Sequence, residues 1–448
     1  MKKDTTNDMT VGSPVSLIIK FMIPMCLGNL FQQFYNIADS IVAGKFIGVN
    51  ALAAIGSTGS LMFFVTGWLN GLSSGFAILV SQWFGAKQYD KMRHYVAMSI
   101  YLAAAFAIVM TIGFEALNEP ILRLMNSPED LMGSVKGYMG IIYAGLIVTA
   151  AYNSLAAFLR ALGDSKSPLY FLIISAVINV FLDILFIVKI GMGVEGCAYA
   201  TVIAQAISAV CCLIYIIKKF PILHLKKENF EVSFTSFRYL LAFGIPMGLQ
   251  FSITAIGSMV MQSANNGLGG DYVSGFTAGV KLKQFTLCPF DAIGTAVSVF
   301  CSQNLGAGQS ARIIALGIGY GVFAGLILIF FGRPLSMIFV SKDAAGVLDA
   351  SAQYLRCMGF FYWTLGILNI TRMVTQGLGY SGRAFFSGVT EMFARTIVSL
   401  CFVGQFGYNA ICFADQTAWV AACCYIAPTC FYCVKKVTRM LQGTPAEA

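Results

Sequence analysis

The chain has 448 residues, of which 58% are hydrophobic and 11% charged, and its net charge is +9. Charge this far below the roughly 25% of soluble domains excludes an ordinary soluble enzyme and points to a membrane protein. The basic residues are scattered between apolar runs and form no patch, so no nucleic-acid partner is expected, and the 13 cysteines, including the C-x-x-C of Cys430 and Cys433, sit in apolar stretches as small hydrophobes.

In chain order, the N-terminus MKKDTTNDMTVGSPVSLIIKF lacks a short apolar region followed by a small-residue cleavage site, so no signal peptide is expected and residues 1–12 read as a cytoplasmic segment. Apolar runs of about 20 residues then recur to the end, each long enough to cross a ~30 Å hydrocarbon core as a helix. About twelve spans are expected, centred near residues 29, 67, 105, 147, 178, 206, 251, 288, 322, 363, 396 and 425. On the first, Gln32, Tyr35, Asn36 and Asp39 fall at i, i+3, i+4 and i+7 and share a face. An aspartate at a membrane-helix centre costs roughly 2.5–3.5 kcal/mol, so Asp39 needs a reason to be there. Pro24, upstream, removes a backbone donor and permits a kink, either a hinge or an ordinary packing feature.

The fourth span offers Asn153. On the fifth, Ser175, Asn179 and Asp183 are spaced i, i+4 and i+8; on the sixth, Thr201, Gln205 and Ser208 make a third polar stripe. Ser175, Gln205 and Ser208 read as interhelical hydrogen-bond formers.

The basic, proline-containing stretch KKFPILHLKKENFEVSFTSF marks a linker, residues 220–236, between an N-terminal lobe, 13–219, and a C-terminal lobe, 237–436; residues 437–448 read as a cytoplasmic tail. In the second lobe the eighth span carries Lys281, Lys283 and Asp291, and the two lysines cannot share a face. Arg356 and Arg372 lie on the tenth span. On the eleventh, Glu391 and Arg395 are spaced i, i+4 in the favourable order for an internal ion pair. Gln32, Tyr35, Gln205, Lys281 and Asp291 are candidates for a substrate cavity, together with aromatic and methionine side chains such as Phe31, Met62, Phe64 and Phe251. The two histidines, His94 and His224, fall in expected loops, NNGLGG follows a membrane helix instead of a strand, and no ATP-binding motif is present. Enzyme chemistry and an organic cofactor are therefore not expected.

The chain repeats itself at a shift of about 220 residues. IPMCL from Ile23 returns as IPMGL from Ile245, SQWFGA from Ser81 as SQNLGAG from Ser302, and RALGDS from Arg160 pairs with QGLGYS from Gln376. Six helices per copy give both halves the same topology, so the expected fold is all-α, with twelve transmembrane helices in two six-helix lobes related by a pseudo-two-fold axis along the membrane normal. The repeat maps Asp39 near Met261 and Gln262, and Asp183 near Ser399, so the second lobe lacks both acids. Lys and Arg concentrate in alternate loops, roughly eighteen on one side against about six on the other, which makes both termini cytoplasmic.

The ordered segments IPMCLGNLFQQFYNIADS, SQWFGA, RALGDSKSP, NVFLDILFI, GMGVEGCAYATVIAQ, SQNLGAG and FGYNAICFADQTAWV resemble those of the multidrug and toxic compound extrusion (MATE) family over nearly the whole chain. The resemblance implies a two-lobed secondary exporter, alternating between inward- and outward-open states and expelling amphipathic, often cationic compounds against H⁺ or Na⁺. It also implies that Asp39, Asn179, Asp183, Thr201 and Asn153, with Asn36 beside them, form the cation-coupling site; two carboxylates sharing such a low-dielectric pocket cannot both ionise cheaply, which suits proton exchange, and the oxygens of Asp39, Asn179, Asp183 and Thr201 suit Na⁺ as well, a choice the sequence leaves open. Some members carry a glutamate on the seventh helix for sodium coupling; IPMGLQFSITAIGSMVMQSANNG has none. The expected setting is a bacterial inner membrane, with small amphipathic molecules and the lipid bilayer as partners and a monomeric state. The alternatives are a flippase for lipid-linked saccharides of the same superfamily, or a non-transporting receptor or scaffold.

Overall fold

Every regular element among the described residues is helical, the arrangement that lets a chain satisfy its backbone donors and acceptors within hydrocarbon. The structure, a computed structural model, describes residues 8–47, 49–124, 132–308, 329–331, 334–337 and 344–442; within the helices, the side chains at 36, 38–41, 43, 44, 49–57, 60 and 124 lie outside that description. In chain order the helices are α1 (Pro14–Phe46), α2 (Val49–Gly85), α3 (Tyr89–Ala116), α4 (Asn118–Leu124), α5 (Met132–Ala144), α6 (Leu146–Ala161), α7 (Lys166–Ile184) and α8 (Val194–Lys219). After the linker come α9 (Phe234–Asn266), α10 (Gly270–Gly306), α11 (Ala345–Gly377), α12 (Ser381–Ile397), α13 (Val403–Phe406) and α14 (Tyr408–Leu441).

Among the described residues nine helices are long and apolar enough to cross a membrane, or ten with α5 and α6 taken as one span bent by 47°. Of the twelve spans expected, the one centred near 322 falls outside the described residues. The one near 363 is α11, 33 residues long, in which Asp349, Arg356, Arg372 and several amides and hydroxyls dilute the apolar content.

The chain divides into two compact units, one containing Ile23–Gly248 and the other Thr10–Met22 with Leu249–Ala448. Each division runs through a helix, beside Pro24 in α1 and beside Pro246 in α9, both of which lie inside their helices. The sequence placed the lobe boundary in the 220–236 linker instead. That stretch folds as two 3₁₀ turns, Pro221–Leu223 and Lys227–Phe230, and buries Phe220 and Leu223 within the first unit. The start of α9 is fastened there too: an ideal Cβ on Gly75 of α2 would lie 2.6 Å from the Gly244 Cα. In the second unit Phe276, Tyr354, Tyr362 and Trp419 anchor a core joining α10, α11 and α14, where a Cβ on Gly377 would meet the Ser298 carbonyl oxygen at 2.6 Å.

The repeat is legible in backbone geometry. RALGDS ends α6 with Gly163 at φ 81°, the Gly163 amide bonding to Arg160 O and the Asp164 amide to Leu159 O. QGLGYS ends α11 the same way, with Gly379 at φ 93°, bonded to Gln376 O, and Tyr380 bonded to Thr375 O. Both are the paired 5→2 and 6→1 closures that a left-handed residue permits. In the first copy Asp164 also starts the next helix, accepting from the Lys166 and Ser167 amides at 3.0 Å. π-helical turns follow α7 (Leu185–Ile190) and α12 (Val398–Phe402) at corresponding places.

The copies differ at the end of the SQWFGA and SQNLGAG helices. Lys87 adopts φ 57° where the second copy has Gly308 at φ 73°. A side chain at a left-handed position costs about 1 kcal/mol, and a Cβ at Gly308 would meet nothing within 4 Å, so backbone strain is the only cost there. Lys87→Gly is expected to raise the apparent unfolding midpoint in detergent and Gly308→Lys to lower it, each by the equivalent of about 1 kcal/mol, read at a fixed heating rate.

Candidate functional site

In the first unit, α7 and α8 bring three of the expected residues together. Asn179 and Asp183 lie one turn apart on α7, both completely buried, and Thr201 of α8 is 9% exposed. Asn179 Nδ2 donates to Thr201 Oγ1 at 3.3 Å, and the Tyr35 hydroxyl of α1 lies 3.2 Å from the same oxygen. The amide's carbonyl oxygen has no hydrogen-bond partner among the described residues. An acceptor left in that state, one turn from a sealed carboxylate, makes a pocket of hard oxygen donors suited to a proton or a small cation. Asn36 and Asp39 are carried by α1, but their side chains lie outside the described residues.

Other expected members do not join this group. Asn153 is half-buried and makes no hydrogen bond to it, while its neighbour Ser154 pairs with Ser73 at 3.2 Å. Gln205 accepts from Thr149 at 2.7 Å, and Ser208 donates to the Phe171 carbonyl. Gln32 is exposed on α1. Tyr35, assigned from sequence to the substrate cavity, lies against Thr201.

The second unit holds a different arrangement. Lys283 of α10 donates to Asp415 Oδ2 of α14 at 2.7 Å, as does the Tyr354 hydroxyl of α11. Arg395 of α12 lies 2.9 Å from Asp415 Oδ1 and donates to Glu391 Oε1 at 2.9 Å. Arg372 of α11 reaches Glu391 Oε2 at 2.9 Å and Ser387 Oγ at 2.8 Å. Three cations and two acids thus form a ladder tying four helices, with Asp415, Glu391 and Arg395 sealed and Lys283 and Arg372 at its partly open ends. Gly257 makes room for it, since a Cβ there would sit 3.1 Å from Arg395 Nη1. Sequence reasoning paired Glu391 with Arg395 but passed over Asp415 and Tyr354. An acid in FADQTAWV, in the last apolar span, was the available signal. Lys281 and Asp291 are both exposed on α10, and Arg356 lines a 310 Å³ recess with Asp349, Gln353 and Cys357.

The sequence model of the MatE family matches residues 24–185 and 246–402, so that each matched segment begins at the proline of an IPM motif. The chain belongs to the MATE family. Among its relatives, the probable multidrug resistance protein YpnP of Bacillus subtilis is 31% identical over 385 residues, covering 83% of this chain and 84% of the relative. YoeA of the same organism, also a probable multidrug resistance protein, is 25% identical over 396 residues, 84% of this chain and 83% of its own. A solved structure described as the outward-facing conformation of a multidrug resistance MATE family transporter of the MOP superfamily superimposes with a TM-score of 0.91 at 19% identity, covering 98% of this chain and 99% of that one. This MATE protein is accordingly an all-α, multi-pass, two-lobed membrane transporter of the multidrug-efflux family and not an enzyme.

The ladder yields a stability prediction for this transporter. Arg395→Met strips a partner from both buried acids and is expected to destabilise the protein by about 3–5 kcal/mol, seen as a large fall in the unfolding midpoint and in folded yield. Lys136→Met, which removes the exposed partner of Glu119, is expected to leave both unchanged.

Proposed function

We propose that this chain is a secondary active exporter that moves amphipathic organic compounds, often cationic, against H⁺ or Na⁺ by alternating access, and that the coupling ion is exchanged at Asp183, Asn179 and Thr201 together with Asp39. The observation that supports this reading is the buried pair Asn179 and Asp183, one turn apart, with the amide donating to Thr201 and its carbonyl oxygen without a hydrogen-bond partner among the described residues. A carboxylate at zero exposure inside a membrane lobe is stable when protonated or when a cation shares its oxygens. Either occupant neutralises it, and release of the occupant restores the penalty that drives the next step. Tyr35 connects that event to α1, because its hydroxyl shares Thr201 with Asn179. A change in how Thr201 is used is therefore felt by the helix that carries Asp39 and, upstream, Pro24, the proposed hinge. Asn153 and Asn36 remain proposed outer members of the site. No cofactor beyond the coupling ion enters this scheme. The protein is placed in a bacterial cytoplasmic membrane as a monomer, both termini cytoplasmic, with lipid and small molecules as its partners.

A flippase reading is favoured by one observation, the ladder of the second unit, in which the three cations Lys283, Arg372 and Arg395 meet the two acids Asp415 and Glu391. Transport of a lipid-linked saccharide diphosphate with no dependence on an ion gradient would select that reading.

In proteoliposomes the wild type is expected to accumulate an amphipathic dye against an imposed H⁺ or Na⁺ gradient, and Asp183→Asn and Asp39→Asn to lose at least about tenfold in gradient-driven rate while still binding the dye, one pKa-scale step in coupling being worth about 1.4 kcal/mol. Unimpaired coupled transport in both variants would sink the site assignment. Thr201→Val removes the shared hydroxyl without altering charge. It is expected to raise the half-saturating concentration of the coupling ion while leaving dye affinity unchanged in equilibrium binding.

A further inference from the structure

Two of the cysteines that read from sequence as small hydrophobes have each other for neighbours. α11 and α14 lie side by side in the second unit, and their contacts advance together along both helices. Gln353 donates to Asn409, Tyr408 to the Ala350 carbonyl, Cys423 to the Thr364 carbonyl and Tyr354 to Asp415, at separations of 56, 58, 59 and 61 residues. Cys357 and Cys412 keep that spacing to within one residue of its lower end, and their thiols hydrogen-bond to each other. The two differ in access. Cys412 is completely buried in the core with Tyr354 and Met358, whereas Cys357 is half-buried and opens on the 310 Å³ recess that Asp349, Gln353 and Arg356 also line. A carboxyl, an amide and a guanidinium at its wall suit this recess to water and small polar molecules. Cys412 is the fifth residue of α14 and Cys357 the thirteenth of α11, so the pair lies toward the N-terminal ends of both helices, the outer side in the topology proposed above. The C-x-x-C pair has no such entrance, because Cys430 and Cys433 are both buried.

We infer that Cys357 and Cys412 are a site of oxidative modification: a hydroperoxide entering the recess oxidises Cys357, and Cys412 resolves the product as a disulfide between α11 and α14. An accessible thiol with a second thiol against it is the arrangement that oxidation-sensitive cysteines share. The thiolate is the reacting form, and Arg356, the preceding residue, places a cation at the recess where Cys357 opens. In the first step the Cys357 sulfur attacks one peroxide oxygen. The O–O bond breaks, the sulfur becomes a sulfenic acid, and the departing oxygen leaves as an alcohol, or as water from hydrogen peroxide, carrying the proton that Cys357 gave up. In the second step the Cys412 sulfur attacks the Cys357 sulfur. The S–O bond breaks, and hydroxide leaves as water with the Cys412 proton. Two thiols thus lose two electrons and two protons to one hydroperoxide. Thiols already in contact across a packed interface let the bond close without parting the helices. Neither cysteine belongs to the proposed coupling site, so the inference stands apart from the exporter reading.

Peptide mass spectrometry on the full-length protein in proteoliposomes tests it. After brief exposure to N-ethylmaleimide, Cys357 is expected to be alkylated at least about tenfold faster than Cys412, following its access to the recess. After treatment with limiting hydrogen peroxide, the predominant linked peptides are expected to join Cys357 to Cys412 and to separate on addition of dithiothreitol. Two conservative variants separate the steps. In Cys412→Ser the sulfenic acid has no resolving thiol, so dimedone is expected to trap it at Cys357. In Cys357→Ser no linked peptide is expected, and Cys412 stays reduced because it has no entrance of its own. A predominant link elsewhere, such as Cys430 to Cys433, overturns the inference. So does peroxide treatment that yields no Cys357–Cys412 link, or dimedone labelling of Cys412 in Cys357→Ser as fast as that of Cys357 in Cys412→Ser.

Discussion

A charge in hydrocarbon has to be compensated inside the protein, and most of what distinguishes the two halves of this transporter follows from how each meets that demand. In the first unit Asp183 is completely buried, and one turn away Asn179 donates to Thr201 while its carbonyl oxygen has no hydrogen-bond partner among the described residues. In the second unit the acids are met by fixed cations, with Asp415 held by Lys283, Arg395 and Tyr354, and Glu391 by Arg372 and Arg395. The first arrangement leaves an acceptor oxygen beside a buried acid, and the second ties its acids to fixed cations.

The halves keep the same backbone devices while their chemistry has diverged. Gly163 and Gly379 close their helices with the same pair of bonds, Lys87 and Gly308 occupy the same left-handed position, and π-helical turns follow α7 and α12. These features are set by chain direction and by the length of membrane to be crossed, so they tolerate a change of side chain. Asp183 corresponds to a region near Ser399, which is buried in the second copy. Arg395, one turn before Ser399, instead draws in Asp415 from α14. The second copy thus has a serine where the first has its acid, and one turn earlier, where the first has Asn179, a cation that meets acids of its own.

Much of the fold was legible because hydrocarbon allows few solutions. Span positions, the half-to-half repeat and the polar faces of the first and fifth helices all came from spacing. Packing was not: the compact units part within α1 and α9 beside their prolines, and the 220–236 stretch folds onto the first unit. Continuous apolar runs carry no mark of where packing changes partners. Asp415 was readable as an intramembrane acid, but nothing in FADQTAWV names Lys283, 132 residues away, as the partner that makes it structural.

The sequence by itself determined the class of molecule, the family, the repeat and the short list of intramembrane acids, because composition and helical period act locally and survive without coordinates. Only the tertiary structure decided which of those polar residues meet. It brought Tyr35 and Asn179 to the Thr201 hydroxyl, sent Gln205 to Thr149, and set Lys283 on Asp415. Hydrogen bonds and ion pairs are short-ranged and directional, so the function of a buried charge is fixed by its neighbour in space, and that neighbour comes from another helix.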